Sequence, residues 1–120
     1  MNVLIVDDNE AAADLLRELL ALQDHAAHCT YTARQAMEAF AAQAFDAALV
    51  DMILPDLPGI QLARRLRDMA AERPLMLVAI SGMRSEDVDD ADGSGLFDHF
   101  LQKPIDFDAL ERILGACASS

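Results

Sequence analysis

The chain has 120 residues, of which 53% are hydrophobic and 25% charged, with two cysteines. This length and composition predict one folded domain over residues 1–120, and they exclude a disordered chain, a disulfide framework and a membrane span. Twenty-one acidic residues against nine basic ones give a net charge of −12, which disfavours direct binding to nucleic acid or to an anionic membrane.

The first half of the chain alternates short apolar runs with helical patterns. Asn2–Val6 is an apolar run that predicts a strand, and leucines at helical spacing predict a helix over Glu10–Leu22. Thr32 and Gln35 form a capping-box pattern that opens a second helix. The uninterrupted apolar run Ala47–Val50 is typical of a strand that is covered on both faces.

The second half repeats this alternation. Helical spacing predicts a helix over Gly59–Met69, and the apolar run Leu75–Ile80 predicts another buried strand. Phe97–Leu101 is expected to be a last short strand. Asp106 is expected to cap a final helix that has Gly115 near its end.

Strands that alternate with helices in this way predict an α/β fold. We expect a doubly wound, flavodoxin-like parallel sheet of five strands in the order 2-1-3-4-5, with helices on both faces. The weak point is the segment 81–95, which contains five acidic residues and three glycines. We expect at most a short or mobile helix there, after Ser85.

Polar residues follow the predicted strands at the points where ligands bind in such sheets. Asp7 and Asp8 come after the first strand and Asp51 ends the third, while Ser81 ends the fourth and Lys103 follows the fifth. Because ligands bind outside the carboxyl ends of parallel strands, we expect these five side chains to converge.

The chemistry of this set points to a cation and a phosphoryl group. Three carboxylates about 4–6 Å apart repel one another by a few kcal/mol per pair, and such all-oxygen sites favour Mg²⁺ or Mn²⁺. Lys103 is the single lysine in a chain with eight arginines, and its compact charge suits a phosphate oxygen. Asp51 is the candidate nucleophile towards phosphorus.

These residues resemble the response-regulator receiver domain of bacterial two-component signalling, and the resemblance covers essentially the whole chain. The motifs that carry it are VDDNE at 6–10, VDMILPDLPG at 50–59, AISG at 79–82 and GLFDHFLQKP at 95–104. Each motif occurs in the order, and at the strand end, that this family leads us to expect.

The resemblance implies roles for individual residues. Asp51 matches the phosphoryl acceptor. Asp7 and Asp8 match the acidic pair that holds Mg²⁺ (or Mn²⁺) together with Asp51, and the backbone carbonyl of Ile53 matches a further ligand.

Other matched positions concern phosphate binding and switching. Ser81 and Lys103 match the phosphate-binding hydroxyl and amine, although threonine is frequent at the serine position. Phe100 matches an aromatic residue that changes rotamer as the hydroxyl moves. The Lys103–Pro104 bond matches a peptide bond that is usually cis in this family.

The function implied is a cytoplasmic signalling switch that takes a phosphoryl group from a histidine kinase or histidine phosphotransfer protein. Such a domain catalyses its own phosphorylation and dephosphorylation but is not an enzyme with an independent substrate. The partners implied are a downstream protein target and, in a phosphorylation-dependent dimer, a second copy of the chain. No direct binding of nucleic acid or membrane is expected.

Three alternatives differ from this function or from its context. A degenerate receiver would act as a phosphorylation-independent scaffold. A flavin-binding module would share the topology, but the acidic loop DDNE disfavours a phosphate there unless a metal is present. The chain could also be a receiver excised from a longer regulator or hybrid kinase, although Met1 at its start favours a natural N-terminus.

Overall fold

The computed structural model describes residues 2–52, 54–71, 73–81, 97–102 and 105–118, with only the backbone described for 81 and 116–118. The strands are β1 (Asn2–Val6), β2 (Ala26–Thr30), β3 (Ala47–Asp51), β4 (Met76–Ser81) and β5 (His99–Gln102). The helices within these ranges are α1 (Glu10–Leu22), α2 (Ala33–Ala42), α3 (Gly59–Ala70) and α4 (Phe107–Ala118).

The five strands form one parallel sheet in the order β2-β1-β3-β4-β5, which confirms the predicted topology. Two apolar clusters cover its faces. One joins the sheet to α2 and α3, and the other joins it to α1 and α4. The sheet therefore lies between two helical layers.

The burial of each strand explains how clearly the sequence predicts it. Every residue of β3 is buried, as expected for a continuous apolar run in the middle of a parallel sheet. The sequence pattern does not single out β2, because its residues AAHCT alternate between exposed and partly buried positions at the edge of the sheet. Its pairing with β1 is what makes it a strand.

The observed ends of several elements differ from the prediction. Strand β5 begins at His99 rather than Phe97, and the preceding Asp98 bonds across to Leu77 through its amide, which donates to the Leu77 carbonyl at 2.8 Å. Helix α4 ends at Ala118, so Gly115 lies near its end, as predicted, within the last turn. The expected weak helix after Ser85 falls outside the described residues.

Candidate functional site

Three aspartates meet at the carboxyl edge of the sheet. Asp7, Asp8 and Asp51 each offer a carboxylate oxygen, and these oxygens all lie within 4.8 Å of one another. Asp7 is fully buried and Asp51 is only 6% exposed, whereas Asp8 is exposed. Within the described ranges this is the one group of acidic, histidine or cysteine side chains whose atoms could hold a metal ion together.

The register of the sheet explains why the two buried aspartates are neighbours. Val6 of β1 pairs with Val50 of β3. Asp7, which follows β1, and Asp51, the last residue of β3, therefore lie at the same level of the sheet. Asp7 is also held locally, because the amide of Asn9 donates to its Oδ1 at 3.0 Å.

The turn that carries Asp7 and Asp8 leads directly into α1. The side chain of Asn9 caps this helix by accepting from the amide of Ala12 at 3.2 Å. Asparagine is a preferred N-cap because its short side chain satisfies an amide that the helix leaves without an acceptor. The sequence DDNE therefore both begins the helix and presents the two carboxylates.

The loop after β3 packs closely against the strand end. The amide of Gly59 donates to the carbonyl of Met52 at 3.0 Å. A Cβ atom at Gly59 would lie 2.5 Å from the carbonyl oxygen of Asp51 and 2.7 Å from Cα of Met52. Only glycine fits this approach of α3 to the strand that carries Asp51.

The other predicted site residues are described only in part. Ser81 ends β4 and pairs with Gln102, which puts its backbone at the same edge as Asp51, and its side chain lies outside the description. Ile53, Lys103 and the Lys103–Pro104 bond lie outside the described residues.

Phe100, the predicted switch residue, lies on β5 opposite Ala79. It is partly buried against the cluster of α2 and α3, and its ring centroid is 5.8 Å from that of Phe97. The structure therefore places it between the core and the surface of the sheet, on a strand that β4 separates from β3.

The chemistry of the three aspartates fits a hard divalent cation. Their donors are all carboxylate oxygens, which suit Mg²⁺ or Mn²⁺, and a cation between them would offset the repulsion of neighbouring carboxylates. Asp7, Asp8 and Asp51 are the described residues that would hold such an ion.

The sequence-based prediction missed one contact made by the loop that follows Asp51. Asp56, in the loop after β3, accepts hydrogen bonds from the amides of Ala33 and Arg34 at the start of α2. Its sequence surroundings, LPDLPG, indicate only a turn. Its partners are more than twenty residues away, so no local signal could have revealed the contact.

No helix within the described ranges is long and apolar enough to cross a bilayer.

The three histidines do not form a cluster in the described ranges: His25 is half-buried, and His28 and His99 are exposed. Cys29 is half-buried, with its Sγ 3.3 Å from the carbonyl oxygen of Ala13, and burial raises the pKa of its thiol.

The family model and a similar solved structure both identify receiver domains of response regulators as the proteins that this chain resembles. The family model of the response regulator receiver domain matches residues 3–114. A solved CheY-like receiver domain from Methylobacillus flagellatus is 35% identical, with a TM-score of 0.87 and 98% of each chain covered. A sensor protein from a Polaromonas species is 31% identical, also with a TM-score of 0.87, over 97% of this chain and 94% of its own.

A curated relative extends beyond the matched region. The response regulator MprA of Mycolicibacterium vanbaalenii is 29% identical over 114 residues, which are 95% of this chain and 47% of MprA. The chain thus spans about half the length of the curated relatives it matches. Because the family model matches residues 3–114, which is nearly the whole chain, the chain belongs to the response regulator receiver domain family.

Proposed function

We propose that this domain is a phosphorylation-activated signalling switch whose acceptor is Asp51. The observation that carries the proposal is the meeting of Asp7, Asp8 and Asp51 within 4.8 Å at the carboxyl edge of the sheet. A metal-dependent phosphoryl acceptor needs a carboxylate nucleophile beside acidic metal ligands, and this cluster supplies both.

In the proposed reaction a carboxylate oxygen of Asp51 attacks phosphorus. A new O–P bond forms as the bond between phosphorus and the donor's leaving atom breaks, and the electron pair stays with the donor. A Mg²⁺ or Mn²⁺ ion held by Asp7, Asp8, Asp51 and the carbonyl of Ile53 would neutralise charge on the phosphoryl oxygens. Ser81 and Lys103 would bind those oxygens.

The proposed phosphoryl donor is a histidine kinase or a histidine phosphotransfer protein, and the proposed location is the cytoplasm. An apolar cavity of about 240 Å³ adjoins Asp7, between α1 and the segment leading into α4. Its lining includes Leu15, which is 56% exposed, and Leu22 on the same helix is 77% exposed. Leu15, in the lining of the cavity that adjoins Asp7, suits the docking of a partner helix, whereas Leu22 lies at the far end of α1 from the three aspartates.

The proposed output is a change at β5. Movement of Ser81 towards the phosphoryl group would leave space into which the ring of Phe100 moves. This would alter the surface of β5 that a downstream protein target or a second copy of the chain contacts. The partly buried position of Phe100 supports this, because its ring has access both to the core and to the surface.

The direct test is phosphorylation with acetyl phosphate and Mg²⁺, followed by intact-mass measurement. The wild type should gain the mass of one phosphoryl group, and Asp51→Asn should not. The control is Asp68→Asn, on the exposed face of α3, which should label like the wild type. A wild type that gains no mass would instead favour a phosphorylation-independent scaffold.

A further inference from the structure

Asp56 belongs to the loop between β3 and α3, but its carboxylate caps a different helix. One oxygen accepts from the amide of Ala33 at 2.9 Å and the other from the amide of Arg34 at 3.0 Å. These are the first two amides of α2, which the helix itself leaves without acceptors. A carboxylate is also favoured there by the positive end of the helix dipole.

The start of α2 is a firm anchor because its other amides are satisfied as well. The hydroxyl of Thr32 accepts from the amide of Gln35 at 3.1 Å, and the Thr32 carbonyl accepts from the amide of Ala36 at 3.1 Å. The side chain of Gln35 in turn accepts from the amide of Tyr31 at 2.9 Å. Asp56 therefore binds a helix end whose geometry is already fixed.

The loop is held by apolar packing and by one charged residue. Leu54 is buried in the core cluster of α2 and α3, and Leu57 packs against that cluster. Asp56 is the only charged residue in the sequence MILPDLP at 52–58, and α3 begins after Pro58 with no side-chain cap of its own. The base of the loop is closed by the hydrogen bond from Gly59 to Met52. Between these apolar contacts, the two hydrogen bonds of Asp56 give the far part of the loop a polar tie to the start of α2.

This loop directly follows Asp51 and contains Ile53, a proposed metal ligand, three residues before Asp56. Resting on the proposed function, we propose that Asp56 is a positioning residue that fixes this loop against α2 and so couples cation binding to the first turn of that helix. Such coupling is reciprocal. Cation binding should stabilise the capped amides, and loss of the cap should weaken cation binding.

The first measurement is the Mg²⁺ dissociation constant by isothermal titration calorimetry, at a temperature where every variant is folded. Asp56→Ala should weaken Mg²⁺ binding by about tenfold, the effect expected of a residue that orients a ligand without touching the metal. Asp56→Asn keeps an amide oxygen as acceptor and should recover part of that loss. Thr32→Ala is the matched control, because it removes a cap from the same helix but leaves the tie to the loop.

The second measurement is hydrogen exchange at the amides of Ala33 and Arg34, with and without Mg²⁺. In the wild type Mg²⁺ should slow exchange at both amides severalfold, and in Asp56→Ala it should have no effect there. Exchange in α4, on the other face of the sheet, serves as an internal reference.

The outcomes separate this inference from the proposed function. A wild type that binds Mg²⁺ and is phosphorylated, with equal Mg²⁺ affinity in Asp56→Ala and Thr32→Ala, would overturn the role of Asp56 alone. A wild type that binds no Mg²⁺ would overturn both. If Asp56→Ala does not fold, the comparison of Asp56→Asn with Thr32→Ala decides the matter in the same way.

Discussion

Among single residues, Gly59 is the one whose replacement most directly disturbs the strand that carries Asp51. A Cβ there would lie 2.5 Å from the carbonyl oxygen of Asp51, so backbone must move to admit it. We expect Gly59→Ala to lower the free energy of unfolding by about 1–3 kcal/mol, the usual cost of overpacking. Urea denaturation followed by circular dichroism measures this.

Gly115 provides the matched control for that substitution. It lies inside α4, and nothing is within 4 Å of where its Cβ would be. Alanine is a better helix former than glycine, so Gly115→Ala should raise the free energy of unfolding by about 0.5–1 kcal/mol. Equal effects at the two glycines would contradict the close packing of Gly59 against the strand.

Asp56 should give stability a specific dependence on pH. Hydrogen bonds from the amides of Ala33 and Arg34 hold the pKa of this carboxyl below its ordinary value. A lowered folded-state pKa adds stability that is complete above the unfolded pKa and is lost as pH falls through the folded pKa.

The difference in melting temperature between the wild type and Asp56→Asn should therefore be constant near neutral pH. It should shrink once the pH drops below the ordinary pKa of an aspartate. Thermal melts across this range measure it. Thr32→Ala removes a cap without a titrating group, so its difference from the wild type should not follow this profile; the same profile in both variants would point to another carboxyl.

The sequence predicts some helices and strands better than others. Elements defined by a local sequence pattern are predicted well, and elements that depend on contacts with distant residues are not. The bounds of β1 and α1 are predicted correctly, because an apolar run and the spacing of leucines define them locally. The edge strand β2 has no such pattern and is ordered by pairing with β1. The late start of β5 depends on Asp98, whose partners lie in β4 and α3.

That contact joins three elements and predicts a measurable loss of stability. One carboxylate oxygen of Asp98 accepts from the amide of Leu77 at 2.9 Å and from the guanidinium of Arg67 at 3.2 Å. Arg67 also donates to the carbonyl of Leu75 at 2.7 Å. Asp98→Ala should lower the free energy of unfolding by about 1–2 kcal/mol, because the part-buried amide of Leu77 loses its side-chain acceptor and the guanidinium of Arg67 loses one of its acceptors.

Glu38→Ala is the control for Asp98→Ala, because it removes a carboxylate from an exposed ion pair. Its partner Arg34 lies 3.3 Å away, but the two side chains are 84% (Arg34) and 66% (Glu38) exposed. An exposed pair of this kind contributes less than about 0.5 kcal/mol. Urea denaturation of the two variants should therefore separate them, and a similar small loss in both would mean that Asp98 acts as an ordinary surface charge.

At the scale of the whole molecule, the sequence predicts that the three aspartates meet. It does not predict the contact between Asp56 and α2 that holds the neighbouring loop. Parallel strands end at one edge, so Asp7, Asp8 and Asp51 could be expected together from the order of strands alone, and they lie within 4.8 Å. The tie between Asp56 and α2 joins positions 22 and 23 residues apart. It arises only when the loop after β3 and the start of α2 are packed beside each other.

Added salt can stabilise this protein in two ways: by screening its net charge of −12, or by supplying a cation that binds Asp7, Asp8 and Asp51. If Mg²⁺ binds the cluster only in the folded state, about a hundredfold excess over its dissociation constant should add about 2.7 kcal/mol to the free energy of unfolding. Sodium chloride at equal ionic strength only screens exposed charges, so it should add much less. Urea denaturation in the two salts measures the difference.

The variant Asp8→Asn should change two quantities in opposite directions: its stability without Mg²⁺ should rise, and the stabilisation that Mg²⁺ adds should fall. Removing one carboxylate relieves repulsion within the cluster, so the variant should be more stable than the wild type when no Mg²⁺ is added. It also removes a proposed ligand, so added Mg²⁺ should stabilise the variant much less than the wild type. If sodium chloride stabilised the wild type as much as Mg²⁺ does, the effect would belong to the overall charge, because only a site at the three aspartates distinguishes the two cations.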